Sequence, residues 1–437
     1  MTYSNKDNTK KHPLFSSREF LTFSSVIMII LSVVAVVPLI SNDFFPYLRI
    51  GKEIVRTRQI PTTEFMTYTQ YGNPANYPHW FFSLLFLRVF ELGGASLTIL
   101  ISMIFIGSFY FLFWITLREQ GNGLVTSSLV MLFVASIHSL FFTMRPQVLT
   151  YPFLGIVLLI ITRWLRGNDQ HLWVLPIVSF LWSNIHGSFI IVFFIMIPAI
   201  IFGSGNRKKL AVISIISIVS TFINFYPFES WKRIFSMVNN QVIRQYITEW
   251  KPPVNDNWQM NLLFSSFLII PILIAIVKPE TPTVYWVWYL GFGWMALTSI
   301  RYIIWLLPFE ALILSKLFDP LIKNYMKFSR FFQNQTLNII TGLFLLMFPL
   351  TLLPGVRNHW LGDHFPVYGE LTPVEVTNWI KDNPQLPNNV WTDFNYACYF
   401  VYEIPHQKVF MSNRIQDLSL EIILDNYQIS QAAYNLT

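Results

Sequence analysis

About eleven apolar runs decide what this chain can fold into: residues 20–40, 96–117, 123–142, 148–165, 171–183, 189–202, 210–225, 261–277, 283–300, 302–317 and 336–353. Most approach the ~20 residues that a helix, rising about 1.5 Å per residue, needs to cross a hydrocarbon core of about 30 Å. The fifth and sixth are short and meet around Asn184, where they can equally form one broken helix. Charge is scarce, at 12% of residues, where a soluble domain carries roughly 25%. So little charge cannot cover a water-soluble surface of this size. The sequence therefore predicts a mainly α, polytopic transmembrane helical bundle of about 11 spans.

The formal net charge of +7 does not argue for nucleic acid in such a chain, because basic residues gather in the cytoplasmic loops of membrane proteins. A single cysteine, Cys398, excludes an internal disulfide framework and a four-cysteine metal site. The polar, basic start (Lys6, Lys10, Lys11, Arg18) precedes an apolar run too long for a signal-peptide core, so the first helix is expected to be retained.

Orientation follows from one further segment. Residues 80–92 are apolar but short and carry Arg88 and Glu91, which suits a helix lying at the interface. If that segment does not cross, the basic loops at Arg118, Arg163 and Arg166, Arg207-Lys208-Lys209, Lys278 and 316–330 all fall on the N-terminal side. That is the positive-inside arrangement, with the N-terminus cytoplasmic. The unusual polar segments then share the outer face. These are Asn42-Asp43, His79-Trp80, Arg145-Pro146-Gln147, Asn184-Ile185-His186-Gly187, the loop 226–259 and Arg301. Polar residues at span ends must be satisfied, and here one extracytoplasmic cavity can serve them all.

The organisation expected is a cytoplasmic tail at 1–19 and a transmembrane domain at 20–355. Its outer loops are 41–94 and 226–259, and a small extracytoplasmic α/β domain follows at 356–437. In that last domain Thr372-Pro373-Val374-Glu375 reads as an N-cap, a proline at N1 and an acid in the first turn of a helix reaching Asp382. Residues 389–392, 397–403 and 408–411 read as short strands between turn residues.

Each polar residue at the outer face has two readings. Asp43 is either a solvated acid capping the helix 46–57 or a general base, placed where a polar acceptor from water can meet a lipid-bound donor. Arg145 and Arg301 either snorkel to headgroups or grip a phosphate, for which guanidinium offers paired, charge-assisted hydrogen bonds. His79 and His186 are interfacial histidines, or they bind phosphate, position a sugar hydroxyl or join Asp43 around a divalent ion. The metal case lacks an HExxH pattern or closely spaced ligands, so no metal is expected to be required. Asn184, beside Trp182, can face a sugar. Trp80, Trp182, Tyr226, Trp250 and Trp258 form an interfacial belt or a sugar platform. A Gly-rich phosphate loop, a Walker A motif and a G-x-S-x-G elbow are all missing, which speaks against ATP-driven transport and serine hydrolysis.

Over almost its whole length the chain resembles the GT-C-type bacterial membrane glycosyltransferases, mannosyltransferase-like multi-spanning proteins that use polyprenyl-phosphate sugars. A loop resembling the family pattern D-x-W-W-H-L-x-x-G-x-x-I…P-x-x-D-x-F-S-x-T…H-x-W is supplied by Asp43 to Leu48, Gly51, Ile54, Pro61, Glu64, Met66, Thr69 and His79-Trp80. Arg145-Pro146-Gln147 and the run from Trp182 to Gly187 are similar to the family's R-P-Q and W-x-N-x-H-G segments. Val390-Trp391, Tyr399 and Val409 to Arg414 are similar to its small outer domain. Tyr47 stands where many relatives have histidine, Glu64 where they have aspartate, Ala397-Cys398 where they have two glycines, and no spacer separates His79 from Trp80.

The resemblance implies a GT-C-like fold in a bacterial inner membrane and an inverting hexosyl- or pentosyltransferase of cell-envelope glycan biosynthesis. Its donor would be a polyprenyl-phosphate sugar and its acceptor a glycan, lipid or protein. Asp43 would be the base, Arg145, Arg301 and His186 would hold the donor phosphate, and His79, Trp80, Asn184, Glu64 and Tyr47 would contact substrate. The competing reading is a non-catalytic glycan transporter, flippase or assembly partner on the same scaffold, which should carry polar residues at mid-membrane depth. His138 is such a residue, expected to be packed. A polymerase or ligase of preassembled glycans would need a larger outer groove, to be sought in 226–259.

Overall fold

The computed structural model describes residues 16–239, 248–325, 334–362, 365–412 and 419–434. Each of the eleven apolar runs contains a helix. In chain order these are α1 (Ser17–Val36), the long α3 (Trp80–Glu119), α4 (Leu124–His138), α5 (Tyr151–Leu165), α6 (Val174–Ser183), α7 (Ile191–Phe202), α8 (Arg207–Ser220), α10 (Trp258–Val277), α11 (Thr283–Thr298), α12 (Ile303–Tyr325) and α13 (Gln335–Met347). The polar loops supply α2 (Ser41–Thr57) and α9 (Pro227–Asn239). Among the described residues, six helices are long and apolar enough to cross a membrane by length and composition, and Val174–Ser183 and Gly187–Phe202 are shorter apolar helices. The fifth and sixth runs are thus two helices, broken at Asn184 by the turn that ends in His186.

Residues 80–92 and the apolar run after them form one helix in name only. At Gly93 (φ −148°, ψ 16°) and Gly94 (φ +55°, ψ −145°) the backbone leaves the helical region, so 80–92 and the span after it point in different directions. A Cβ at Gly94 would meet nothing within 4 Å, so the need for glycine is purely one of backbone conformation. Gly94→Ala is expected to cost about 1–3 kcal/mol, read as a lower thermal midpoint in detergent. An unchanged midpoint would show that the kink tolerates a side chain. Gly51 is required for a different reason. A Cβ there would strike the Ser83 carbonyl and lie 3.0 Å from Leu87 Cβ, so glycine lets α2 cross the 80–92 helix backbone to backbone.

The main core is built from the apolar helices, with Trp114, Trp164, Trp182 and Trp288 fully buried in it. His138 is packed as expected, its Nδ1 2.9 Å from the Tyr110 hydroxyl and its ring against Phe142 and Tyr151. Glu310 was not anticipated. It is fully buried on α12, with Ser266 and Tyr289 as electrostatic neighbours.

The C-terminal region departs from expectation in two places. Its first helix is α14 (Val374–Asp382), with Pro373 rather than Thr372 at the N-cap and no capping side chain. The run 397–403, expected as a strand, lies in helix α15 (Phe394–Glu403), opened by Asp393, whose carboxylate accepts from the Asn395 amide at 2.8 Å. Ala397, Phe400, Val401 and Ile404 are all buried, and their spacing of three and four puts them on one helix face. A short, uniformly apolar run cannot by itself separate the two periodicities. The strands that do form, β1 (Asn389–Val390) and β2 (Lys408–Val409), pair in parallel. On its other side β2 meets the first loop, with Tyr68 N donating to Val409 O at 3.0 Å and Val409 N to Met66 O at 3.2 Å. A second core follows from this pairing, in which Ile50, Ile54, Met66 and Tyr77 pack with Ile380, Phe400, Val401 and Val409. The last described helix is α16 (Leu420–Tyr434). Arg414 lies outside the described residues.

Candidate active site

The candidate residues, at or near the ends of several helices, gather in two clusters. In the first, Tyr47 on α2 sets its ring edge-on to His79 (centroids 5.5 Å apart), and His79 stacks on His186 (5.5 Å, 20° between planes). His79 sits just before the kinked helix, and its Nδ1 is 2.9 Å from the Ile185 carbonyl. His186 caps the turn between α6 and α7. The Ser188 amide donates to its Nδ1 at 3.1 Å, so a neutral ring carries its proton on Nε2. Burial first, then His79, Arg301 and Arg145, push its pKa well below the usual histidine range. His186 is thus a neutral N–H donor at physiological pH.

A stability prediction follows from that shift. Below about pH 6.5 the unfolded chain takes up a proton at this position that the folded chain refuses, so acid favours unfolding. The thermal midpoint is expected to fall as pH drops through that value, and His186→Gln should make the decline shallower. An identical slope in the variant would place the titration elsewhere.

The second cluster holds the two arginines. Arg145 precedes the turn Pro146–Thr150 that leads into α5, and it is 8% exposed. Its Nε and Nη2 donate to Thr143 Oγ1 at 3.2 and 3.1 Å, and its Nη1 donates to Glu249 Oε1 at 3.0 Å. Arg301 lies in the short turn Ile300–Tyr302 before α12. Its Nη1 is 3.7 Å from Glu249 Oε2, and its guanidinium lies over the Trp250 ring, 5.4 Å from the centroid. The two cations therefore converge on one carboxylate. Burial would raise the Glu249 pKa, but Arg145 and Arg301 outweigh it and hold the group below the usual carboxylate range.

Glu249 is absent from the sequence reading. It is one of three acids in 226–259, and nothing in its neighbours marks it out, because its partners come from positions 145 and 301. Asp43 falls in the first turn of α2, one turn before Tyr47. The favourable end of the helix dipole suits an acid there, but its side chain lies outside the described residues.

Other expected residues make contacts that brace local structure. Glu64 is 6% exposed and accepts from the Met66 and Thr67 amides at 2.7 and 3.2 Å, holding the turn whose Met66 and Tyr68 pair with β2. Asn184 Nδ2 donates to the Phe180 and Ile223 carbonyls at 2.8 and 3.0 Å and ties α6 to the end of α8. Trp80, half-buried beside His79, packs against the second core. Of the proposed aromatic rim, Trp182 is fully buried and Trp250 is 7% exposed, whereas Trp258 is exposed. The first two therefore belong to the interior and not to a belt. Among the described residues no group of three or more His, Cys, Asp or Glu side chains is placed to hold a metal ion.

No family model and no curated protein matches the chain. Solved structures do. The oligosaccharyltransferase of Archaeoglobus fulgidus, tethered to an acceptor peptide, is 12% identical and superposes with a TM-score of 0.59 over 92% of this chain and 64% of its own. The same organism's oligosaccharyltransferase AglB, in complex with an inhibitory peptide and a dolichol-phosphate, gives 0.56 at 12% identity, over 90% of this chain and 64% of that one. ArnT from Cupriavidus metallidurans, bound to undecaprenyl phosphate, gives 0.51 at 11% identity, over 93% and 87%. The chain thus spans less than two thirds of the length of the archaeal enzymes. The fold is the GT-C fold of membrane glycosyltransferases.

Proposed function

We propose that this protein is an inverting glycosyltransferase that moves a sugar from a polyprenyl-phosphate donor to an extracytoplasmic acceptor. The observation that carries the reading is the convergence of Arg145 and Arg301 beside the His79–His186 stack, on a fold whose relatives were solved with dolichol-phosphate and undecaprenyl phosphate. Two guanidiniums sharing one anion is the arrangement that phosphate recognition requires.

In this reading Asp43 takes the proton of the acceptor hydroxyl. The oxygen attacks the anomeric carbon, a new C–O bond forms, and the bond to the phosphate oxygen breaks with its electron pair. Arg145 and Arg301 stabilise the charge that develops on the departing phosphate, and His186 adds a neutral N–H. The donor's own phosphate linkage supplies the driving force, so no nucleotide site is needed. Tyr47 and His79 line the approach to the sugar. The polar ends face outward and the N-terminus lies in the cytoplasm of a bacterial inner membrane. The transmembrane unit is 20–355, with 356–437 as an outer domain.

Glu310 favours a second reading, because a carboxyl buried within a bundle of apolar helices marks a transport pathway in many membrane proteins. Transfer of labelled sugar from a panel of polyprenyl-phosphate donors in proteoliposomes separates the two. Transfer by the wild-type protein supports the enzyme. No transfer across the panel, with movement of lipid-linked glycan between leaflets instead, establishes the transporter.

A further inference from the structure

We propose that Glu249 sets the charge preference of the arginine pair, so that the site accepts a phosphodiester monoanion and rejects the phosphomonoester dianion left after transfer. The inference rests on the phosphate-binding reading of Arg145 and Arg301. It concerns how that site tells donor from spent carrier.

Glu249 is built into the site. Its carbonyl accepts from Ser299 Oγ at 2.9 Å, and the next residue but one, Lys251, accepts at its carbonyl from the Ile300 amide at 3.0 Å. The turn Thr248–Trp250 is thereby stitched to the turn that carries Arg301. The carboxylate lies between Arg145 Nη1 (3.0 Å) and Arg301 Nη1 (3.7 Å), where the oxygens of a phosphate would also be held. Guanidinium is not deprotonated in proteins, and the two cations hold the Glu249 carboxyl below its usual range. Two positive charges against one negative leave a single net positive charge.

A polyprenyl-phosphate sugar is a phosphodiester with one negative charge, and it balances that site. Breaking the bond to the sugar leaves a phosphomonoester, whose second ionisation near pH 6 gives it a charge of about −1.5 to −2 at pH 7. The additional charge faces the Glu249 carboxylate, whose side chain is 40% exposed, and two like charges in one site disfavour each other. Reaction thus converts a matched ligand into a mismatched one, and the carboxylate regains its arginines as the carrier leaves.

The test measures binding of polyprenyl monophosphate and of its methyl phosphodiester to full-length protein in nanodiscs, from pH 5 to pH 8. For the wild type, monoester affinity should fall or stay level as pH rises through the second ionisation, and the diester should bind equally throughout. In Glu249→Gln the monoester should gain about tenfold or more at pH 8, the size of one charge-assisted hydrogen bond, and the gain should vanish at pH 5. Glu249→Asp, which keeps the charge, should restore the wild-type preference. An unchanged monoester-to-diester ratio in Glu249→Gln, or equal weakening of both ligands, would overturn the proposal and leave Glu249 as a brace for the arginines. Arg145→Gln separates this failure from that of the underlying reading. If it binds both ligands as the wild type does, the pair is not a phosphate site at all.

Discussion

Replacing Asp43 by Asn is expected to lower the rate of sugar transfer by about 10²- to 10⁴-fold, the usual worth of a positioned general base. The two side chains have the same shape, and the position lies in the first turn of α2, where either is tolerated. The fold should therefore survive. A base acts on the acceptor proton in the transition state and not on the bound donor, so kcat should fall while the donor KM stays close to wild type. Equal transfer by both proteins would make Asp43 a solvated acid at a helix N-terminus and would refute the mechanism.

Arg145→Gln is the second large effect, expected at about 10²- to 10³-fold in kcat/KM. Here donor affinity should suffer as well as kcat, because the guanidinium holds the donor phosphate already in the ground state and the developing charge in the transition state. Its side chain is 9% exposed and that of Arg301 is 28%, so Arg145 works in the lower dielectric and Arg301→Gln should cost less. Arg145→Lys keeps the charge but loses the paired donors to Thr143 and the anion. It should recover only part of the loss. The two Gln substitutions combined should cost less than the product of their separate effects, since both act on one anion. Full activity in Arg145→Gln would assign this residue to the architecture of the turn alone.

How much was legible in the sequence depended on the range of the information. The helices were legible because a run such as 20–40 carries its own signal in length and apolarity. The break between 80–92 and the following span was legible from Arg88 and Glu91, and the structure realises it at Gly93 and Gly94. His79 and His186 were picked out one by one as polar residues at span ends, and the fold stacks them. Glu249 was hidden because its significance arises only when positions 145 and 301 arrive beside it. The helix at 394–403 was misread because ten largely apolar residues satisfy either periodicity, and the choice was made by Asp393 and by packing on α2. Glu64, which the family resemblance sets against substrate, also has one oxygen engaged by two backbone amides, a local role that no neighbouring residue type announces.

The strand and core that join the first loop to the C-terminal region have a consequence for how the protein is made. Thr69 Oγ1 donates to the Phe410 carbonyl at 2.6 Å across 341 positions of sequence, and Met66 and Tyr68 pair with Val409. The loop bearing Asp43 and His79 is made more than three hundred residues before the segment that completes its core, as the 341-position span of the Thr69–Phe410 bond shows. At about 5–20 residues per second, that loop waits on the order of tens of seconds with Ile50, Ile54 and Tyr77 unpartnered by their final neighbours. Biogenesis is then a problem of custody, in which the ribosome, the insertion machinery or a chaperone must keep an unfinished loop from pairing wrongly until its distant partner segment arrives.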